Sequence, residues 1–467
     1  IIAAPQWPSG ATELAAAITY RESRILYGAN SGPAARRSLL NIHSHELAHM
    51  WFGDLVTPPW WDDLWLKEGF ASWATGIVLA DMEPEGGYEL DAVADSISAM
   101  ALDSLASARA VREPITMNED IRNAYDSITY DKGLAVIAMV DSYFGAETFR
   151  PALGRYIERF EDSVADSPQF FEVIAEETGE PDLTTAFRSF VEQSGLPVID
   201  AGLQCREGRT PEVTLSQSRY QPLGSPIEES RRWTVPFCMI AASGERRERV
   251  CTMMSEPELT LPLEALDSCP DWVMPNAGGA GYWRFTMPEA QWALLAVNFA
   301  SLEPGEAMVA IDSARASFEA GQLSLPLLMA ITNAGTRHEE RQVIEEAVRT
   351  YAGLYQAVAD EEAARAGFES EVSRVFRPRL AAAAGSGRDR DRIITSRLEG
   401  FLARTGNDQT LREDFARAAN AYVGRPVEGD VRPLTSDDFA TALAIGFQEG
   451  GEPFLNAMLA SLSDIDD

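Results

Sequence analysis

The sequence, 467 residues long, predicts a multidomain α+β fold, and three observations predict it. Residues 1–198 open with strand-like segments and then read as helix after helix. Residues 199–290 change to short alternating runs separated by Pro, Gly and Ser clusters. From 291 onward, helical patterns of roughly 12 to 20 residues return. A chain of this length has room for roughly two to four domains, each burying its own core.

Taken in order, IIAAP and AAAITYRESRILYG read as strands. RRSLLNIHSHELAHMWFGDL, DDLWLKEGFASWATGIVLADM, a long stretch near 86–108 and YDKGLAVIAMVDSYFG then carry helical periodicity. EVTLSQSRY, RRWTVPFCMIAA, RERVCTMM, LTLPL and GYWRFTM, with turn signals about every ten residues, predict a small antiparallel β-sandwich that begins after the junction GLPVID at 195–200. AMVAIDSARASFEAGQ, EERQVIEEAVRTYAGLYQAVA and DRIITSRLEGFLARTG predict a curved α-helical array over 291–467, although no clean sequence repeat accompanies it. The acidic tail SDIDD is expected to fray.

Composition excludes several classes. With 39 basic against 72 acidic residues the net charge is −33, which argues against binding nucleic acid or anionic lipid, since both need basic surface. No apolar run reaches the roughly 18 residues that would span a bilayer. Only Lys67 and Lys132 are lysines, a scarcity that reads as compositional bias without mechanistic content. The start at Ile1, without a signal segment, leads to the expectation that the natural protein extends upstream. All four cysteines, Cys205, Cys238, Cys251 and Cys269, lie in the β-rich segment without C-x-x-C spacing. One or two disulfides in an oxidising compartment, and hence a periplasmic or secreted location, are expected over four reduced thiols. Three pairings are possible, and Cys238 with Cys251 across a hairpin is the simplest.

Three of the four histidines fall within seven positions of HSHELAHMWFGDL. His45-Glu46-Leu47-Ala48-His49 is H-E-x-x-H. On a helix, positions i and i+4 share a face about 6 Å apart, so both imidazoles reach one ion while Glu46 flanks the place where an activated water would sit. Catalytic zinc usually takes three protein ligands and leaves one position open. Glu68, nineteen positions after His49 and near the start of the next amphipathic helix, supplies the third if the two helices form a hairpin. His43, two positions before His45, faces elsewhere, and His43 and His338 are read as structural.

With these residues in place the sequence resembles the zinc aminopeptidases of the aminopeptidase N type, the gluzincins. The resemblance runs through SHELAHMWFGDLVTPPWWDDLWLKEGFASW and reappears in SITYDKG (127–133), QSRY (217–220) and GYWRF (281–285). It implies one Zn²⁺ per chain on His45, His49 and Glu68, Glu46 as general base, and a thermolysin-like catalytic domain over 1–198, followed by the β-sandwich and a HEAT/armadillo-like helical domain. It also implies an N-terminal β-domain that this sequence lacks. GATELAAAITYRE (10–22) lines up with the family's G-A-M-E-N strand, so Gly10, Ala11 and Glu13 fall on its substrate-binding positions, with Glu13 on the glutamate that pairs with the substrate's free α-amine. Thr12 and Leu14 replace the motif's Met and Asn. Tyr130 matches the tyrosine that donates its hydroxyl hydrogen to the oxyanion, and Tyr125 is a candidate for lining the first side-chain pocket. The implied activity is removal of N-terminal residues from peptides with a free amine. A catalytically silent scaffold and a related endopeptidase or epoxide hydrolase are the alternatives.

Overall fold

Three short strands, Ile2–Ala4, Ala11–Thr12 and Thr19–Arg21, form a sheet in which the last is central, parallel to the first and antiparallel to the second. The computed structural model describes residues 1–28, 31–227, 230–266 and 268–462, so the SDIDD tail lies outside the described residues. The strand expected over AAAITYRESRILYG is confined to Thr19–Arg21. Before it, Ala16 has a φ of 65° and the Ala17 amide bonds back to Leu14, and after it Glu22–Ile25 is a helical turn. The three alanines carry little strand preference, so a turn wins there.

The helices follow the predicted pattern with shorter bounds: Pro33–Ala48, Trp65–Met82, Tyr88–Asp103 and Gly133–Phe144. Three more, Ala146–Phe160, Ser167–Thr178 and Asp182–Val191, complete this part of the chain. Ser167–Thr178 starts with a capping box between Asp166 and Gln169, which satisfies two otherwise orphaned amides. The helix Trp65–Met82 is held from below by aromatic packing: Phe70 meets Phe170 edge-on at 5.1 Å, and Phe171 stacks on Phe187 at 5.0 Å.

From Pro197 the chain forms two sheets. One has the order Glu258–Pro262, Glu212–Arg219, Pro197–Gln204, Arg284–Thr286, and the other Trp272–Met274, Val235–Ser243, Arg246–Met254. The expectation of an antiparallel sandwich is corrected at one edge, where Arg284–Thr286 pairs parallel to Pro197–Gln204. The residues between these two strands, which include the five other strands of the two sheets, supply the long crossover that parallel pairing requires. Disulfides join Cys205 to Cys269 and Cys238 to Cys251, the latter directly opposite in the hairpin register. QSRY and GYWRF meet here: the Arg284 guanidinium lies 4.5 Å from the Tyr220 ring centre and pairs with the buried Asp312.

The chain packs as two compact units, one of residues 1–21 and 41–335, the other of residues 22–40 and 336–467. The boundary of the helical zone therefore differs from the compositional one at 291. Glu289–Val297, Pro304–Glu319 and Leu325–Gly335 belong with the sheets, because Trp292 stacks on Phe285 at 5.1 Å and Pro304–Glu319 carries Asp312 to Arg284. In the second unit Arg341–Val358, Glu362–Ala383, Asp389–Arg404, Gln409–Tyr422 and Phe439–Leu462 each pack on the next, with Phe376 meeting Tyr351 and Phe401 edge-on.

Candidate active site

His45 sits in the last turn of Pro33–Ala48, and the His49 amide still bonds to the His45 carbonyl, so the helical spacing carries through the whole motif. Glu68 is the fourth residue of Trp65–Met82, and it is buried. His45 Nε2 lies 3.0 Å from His49 Nε2 and 3.2 Å from Glu68 Oε2, and His49 Nε2 lies 3.3 Å from the same oxygen. The expected hairpin thus brings the three ligands together.

These atoms fit a cation. His49 Nδ1 is 2.9 Å from the Phe52 carbonyl oxygen, a contact that calls for the hydrogen on Nδ1 and points Nε2 inward, where it becomes a lone-pair donor once deprotonated. Two imidazole nitrogens and a carboxylate oxygen thus face one another; the imidazoles can hydrogen-bond to Glu68, and a bound cation would take the place of those hydrogens. Tetrahedral zinc with bonds of about 2.1 Å holds its donors roughly 3.4 Å apart, slightly wider than the 3.0, 3.2 and 3.3 Å seen. Burial lowers the His45 pKa. Burial also works to lower that of His49, but its hydrogen bond to Glu68 and the Glu68 charge prevail and raise it. Glu68 is pulled the opposite way. Burial opposes ionisation, yet hydrogen bonds from both imidazoles and the charge of Lys67 hold its carboxyl well below the usual carboxylate range.

Glu46 is 5% exposed and its Oε2 is buried with no hydrogen-bond partner among the described residues. Burial is the main reason its pKa is pushed up to about 7, with Glu13 and Glu68 adding repulsion. A carboxylate poised there can take and return a proton near neutral pH. Tyr130 occupies the middle of a single wide helical turn, Ile128–Lys132, that leads into Gly133–Phe144, and its ring stacks on His45 at 5.9 Å. Burial and the hydrogen-bonded Glu68 raise its pKa further above the ordinary phenol value, so it stays a donor.

Glu13 lies just past the strand Ala11–Thr12, with its carboxylate, that of Glu46 and a His49 ring nitrogen within 4.8 Å of one another. Ala11 pairs with Tyr20, and the Gly10 carbonyl accepts from Arg21, so both hold the short strand in place. Tyr125 is 43% exposed, 6.5 Å from the Tyr130 ring and 6.1 Å from Trp61. Trp61 lines a neighbouring cavity of about 210 Å³ with Arg109, Val111 and Ile115. His43 Nδ1 is 2.7 Å from the Tyr20 hydroxyl, and His338 Nδ1 accepts the Glu340 amide, both structural contacts.

Three features escaped the sequence reading. Lys67 pairs with Glu13 and lies 3.0 Å from Glu68 Oε1. Arg109 bonds to Asp126, to the Thr129 hydroxyl and to the carbonyls of Ala110, Val111 and Ala124, clamping the turn before Tyr130. Lys132, fully buried, bonds to Asp103 at 2.8 Å and anchors the other side of that turn. The scarcity of lysine was a usable signal, because Lys132 lies in a buried pair and Lys67 in a partly buried one.

Two family models match the chain: the peptidase family M1 domain over residues 1–193 and the ERAP1-like C-terminal domain over residues 272–467. Aminopeptidase M1-A of Oryza sativa subsp. japonica is 30% identical over 461 residues, covering 96% of this chain and 51% of its own. Puromycin-sensitive aminopeptidase of Caenorhabditis elegans is 26% identical over 470 residues, 98% of this chain and 48% of its own. Membrane alanyl aminopeptidase of Manduca sexta is 30% identical over 309 residues, 63% of this chain and 30% of its own. The chain spans about half the length of the relatives that it matches nearly end to end.

Proposed function

We propose, from the premise that this chain belongs to the peptidase M1 family of the aminopeptidase N type, that it is the catalytic part of a zinc aminopeptidase acting on peptides with a free N-terminal amine. The observation that carries this reading is the convergence of His45 Nε2, His49 Nε2 and Glu68 Oε2 within 3.3 Å, flanked by a buried Glu46 without a hydrogen-bond partner among the described residues. His45, His49 and Glu68 would hold the zinc, which when bound supplies Lewis acidity that polarises a scissile carbonyl and acidifies water.

The remaining chemistry belongs to the protein. Glu46 takes the proton from the attacking water and returns it to the departing amine. The Tyr130 hydroxyl donates to the developing oxyanion, a contact typically worth on the order of 100- to 1000-fold in rate. Glu13 pairs with the substrate's ammonium group, which an internal peptide bond lacks, and so limits cleavage to the first residue. Tyr125 lines the position of the first side chain. Residues 1–198 are read as thermolysin-like, and the two disulfides support a periplasmic or secreted location.

The test is chromophore release from a panel of aminoacyl anilides, with metal content measured in parallel. Release that stops with a zinc chelator and returns with zinc is the expected result. Equal cleavage of N-blocked anilides would exclude an aminopeptidase, and full activity after metal removal would exclude the zinc reading.

A further inference from the structure

The amine anchor proposed above is already paired with an ammonium group. Lys67 Nζ bonds to Glu13 Oε1, and both side chains are only 15% exposed. The same Nζ lies 3.0 Å from Glu68 Oε1. Lys67 precedes Glu68 in the helix Trp65–Met82, so its stem starts beside the metal ligands. Its aliphatic part passes Gly53, where a Cβ would lie 3.3 Å from Lys67 Cδ. A primary ammonium on an alkyl chain is chemically what the N-terminus of a peptide presents. In a chain that has only two lysines among 39 basic residues, this position keeps one.

We infer that Lys67 is a built-in competitor for the substrate amine: it holds Glu13 in the substrate-free protein and yields that carboxylate when an N-terminal ammonium arrives. The inference rests on Glu13 being the amine anchor. At Glu13 one ammonium replaces another, and Lys67 keeps Glu68 Oε1 as a partner, so neither carboxylate is left without a cation. It also shields a half-buried carboxylate that would otherwise stand beside Glu46 and Glu68, two further carboxylates, without a cation. If the lysine occupies the anchor nine-tenths of the time, an incoming amine binds about tenfold more weakly than to the free carboxylate. The lysine therefore sets affinity for the N-terminus separately from the chemistry at the scissile bond.

The experiment is calorimetric titration with butylamine, which has no carbonyl to bind metal or be cleaved, against the metal-free and the zinc-loaded chain. Lys67→Met and Lys67→Gln should bind butylamine about tenfold tighter than the unsubstituted protein. Lys67→Arg, which keeps the positive charge, should bind it no tighter. Glu13→Ala should abolish binding. Circular dichroism of each variant establishes that it is folded, and the two neutral substitutions guard against failure of either one. If Lys67→Met and Lys67→Gln bind as weakly as the unsubstituted protein while Glu13→Ala removes binding, the competitor role is overturned and the amine anchor stands. Equal tightening by Lys67→Arg also overturns it, since packing and not charge would then be responsible. Unchanged binding by Glu13→Ala removes the anchor and the inference together.

Discussion

At the scale of single residues, the proposed reading separates groups that would hold a metal from groups that would react. His45, His49 and Glu68 point their donor atoms at one another, while Glu46, one position along the helix from His45, keeps a buried oxygen free of hydrogen-bond partners among the described residues. Glu46→Gln preserves volume and polarity but cannot accept a proton, so zinc content should stay near one per chain while kcat falls by about 100-fold or more, as for loss of general-base assistance. A parallel fall in bound zinc, read by atomic absorption, would assign Glu46 to the ligand set instead. Tyr130→Phe should lower kcat by on the order of 100-fold with little change in KM, because the lost donor acts on the oxyanion and not on the bound ground state. An unchanged kcat in steady-state assays would remove Tyr130 from the reaction. These residues were legible as candidates because H-E-x-x-H has a helical period and SITYDKG carries the family resemblance. Lys67 was not, since nothing in its own neighbourhood of sequence says that it folds back onto Glu13.

At the scale of elements, the distance between Glu68 and Tyr130 is set by two helices that cross at glycines. A Cβ on Gly69 would lie 2.9 Å from the Gly133 carbonyl carbon, and one on Gly133 would lie 3.3 Å from the Gly69 Cα. Backbone therefore meets backbone one residue after Glu68 and three after Tyr130. Gly69→Ala should force these helices apart, lowering stability by about 1–3 kcal/mol in denaturant titrations and lowering kcat as Tyr130 moves from its partner. A variant as stable and as active as the parent would show that the crossing has slack. The wide turn Ile128–Lys132 depends on the same logic. It is pinned by Arg109 and Asp126 on one side and by Lys132 and Asp103 on the other, contacts that join residues far apart in sequence. The helices themselves were legible from periodicity. The crossing point and the wide turn were not, because glycine spacing and one extra residue in a turn leave no periodic trace.

At the scale of the molecule, the β-rich segment is held together by two disulfides, and a buried ion pair joins its last strand to the helix Pro304–Glu319. Burial pushes the Asp312 carboxyl up, but Arg284 and Arg315 prevail and hold it below the usual carboxylate range. A carboxylate depressed in the folded state adds stability that is fully present above its unfolded pKa of about 3.9 and is lost as pH falls through the folded value. Stability from this pair should accordingly be flat from neutral pH to about pH 4 and decline below it. Asp312→Asn should cost about 3–5 kcal/mol near neutral pH and flatten that acid limb, because Arg284 is left buried without its counter-charge. Thermal melts from pH 3 to pH 7 test this, and identical slopes in parent and variant would exclude the pair as the source. Sequence alone determined the order of helical body, β-rich segment and helical array, and put forward His45, His49 and Glu68 as candidate ligands, Glu46 and Tyr130 as candidate reacting groups, and Cys238 with Cys251 as the simplest of three disulfide pairings. All but Tyr130, which rests on the family resemblance of SITYDKG, are written in local period, spacing or hairpin register. Only the tertiary structure decided the parallel edge strand, the grouping of Glu289–Gly335 with the sheets, the second disulfide and the place of Lys67 on Glu13. Those depend on which distant surfaces meet when the core closes, a property of packing that no short stretch of chain contains.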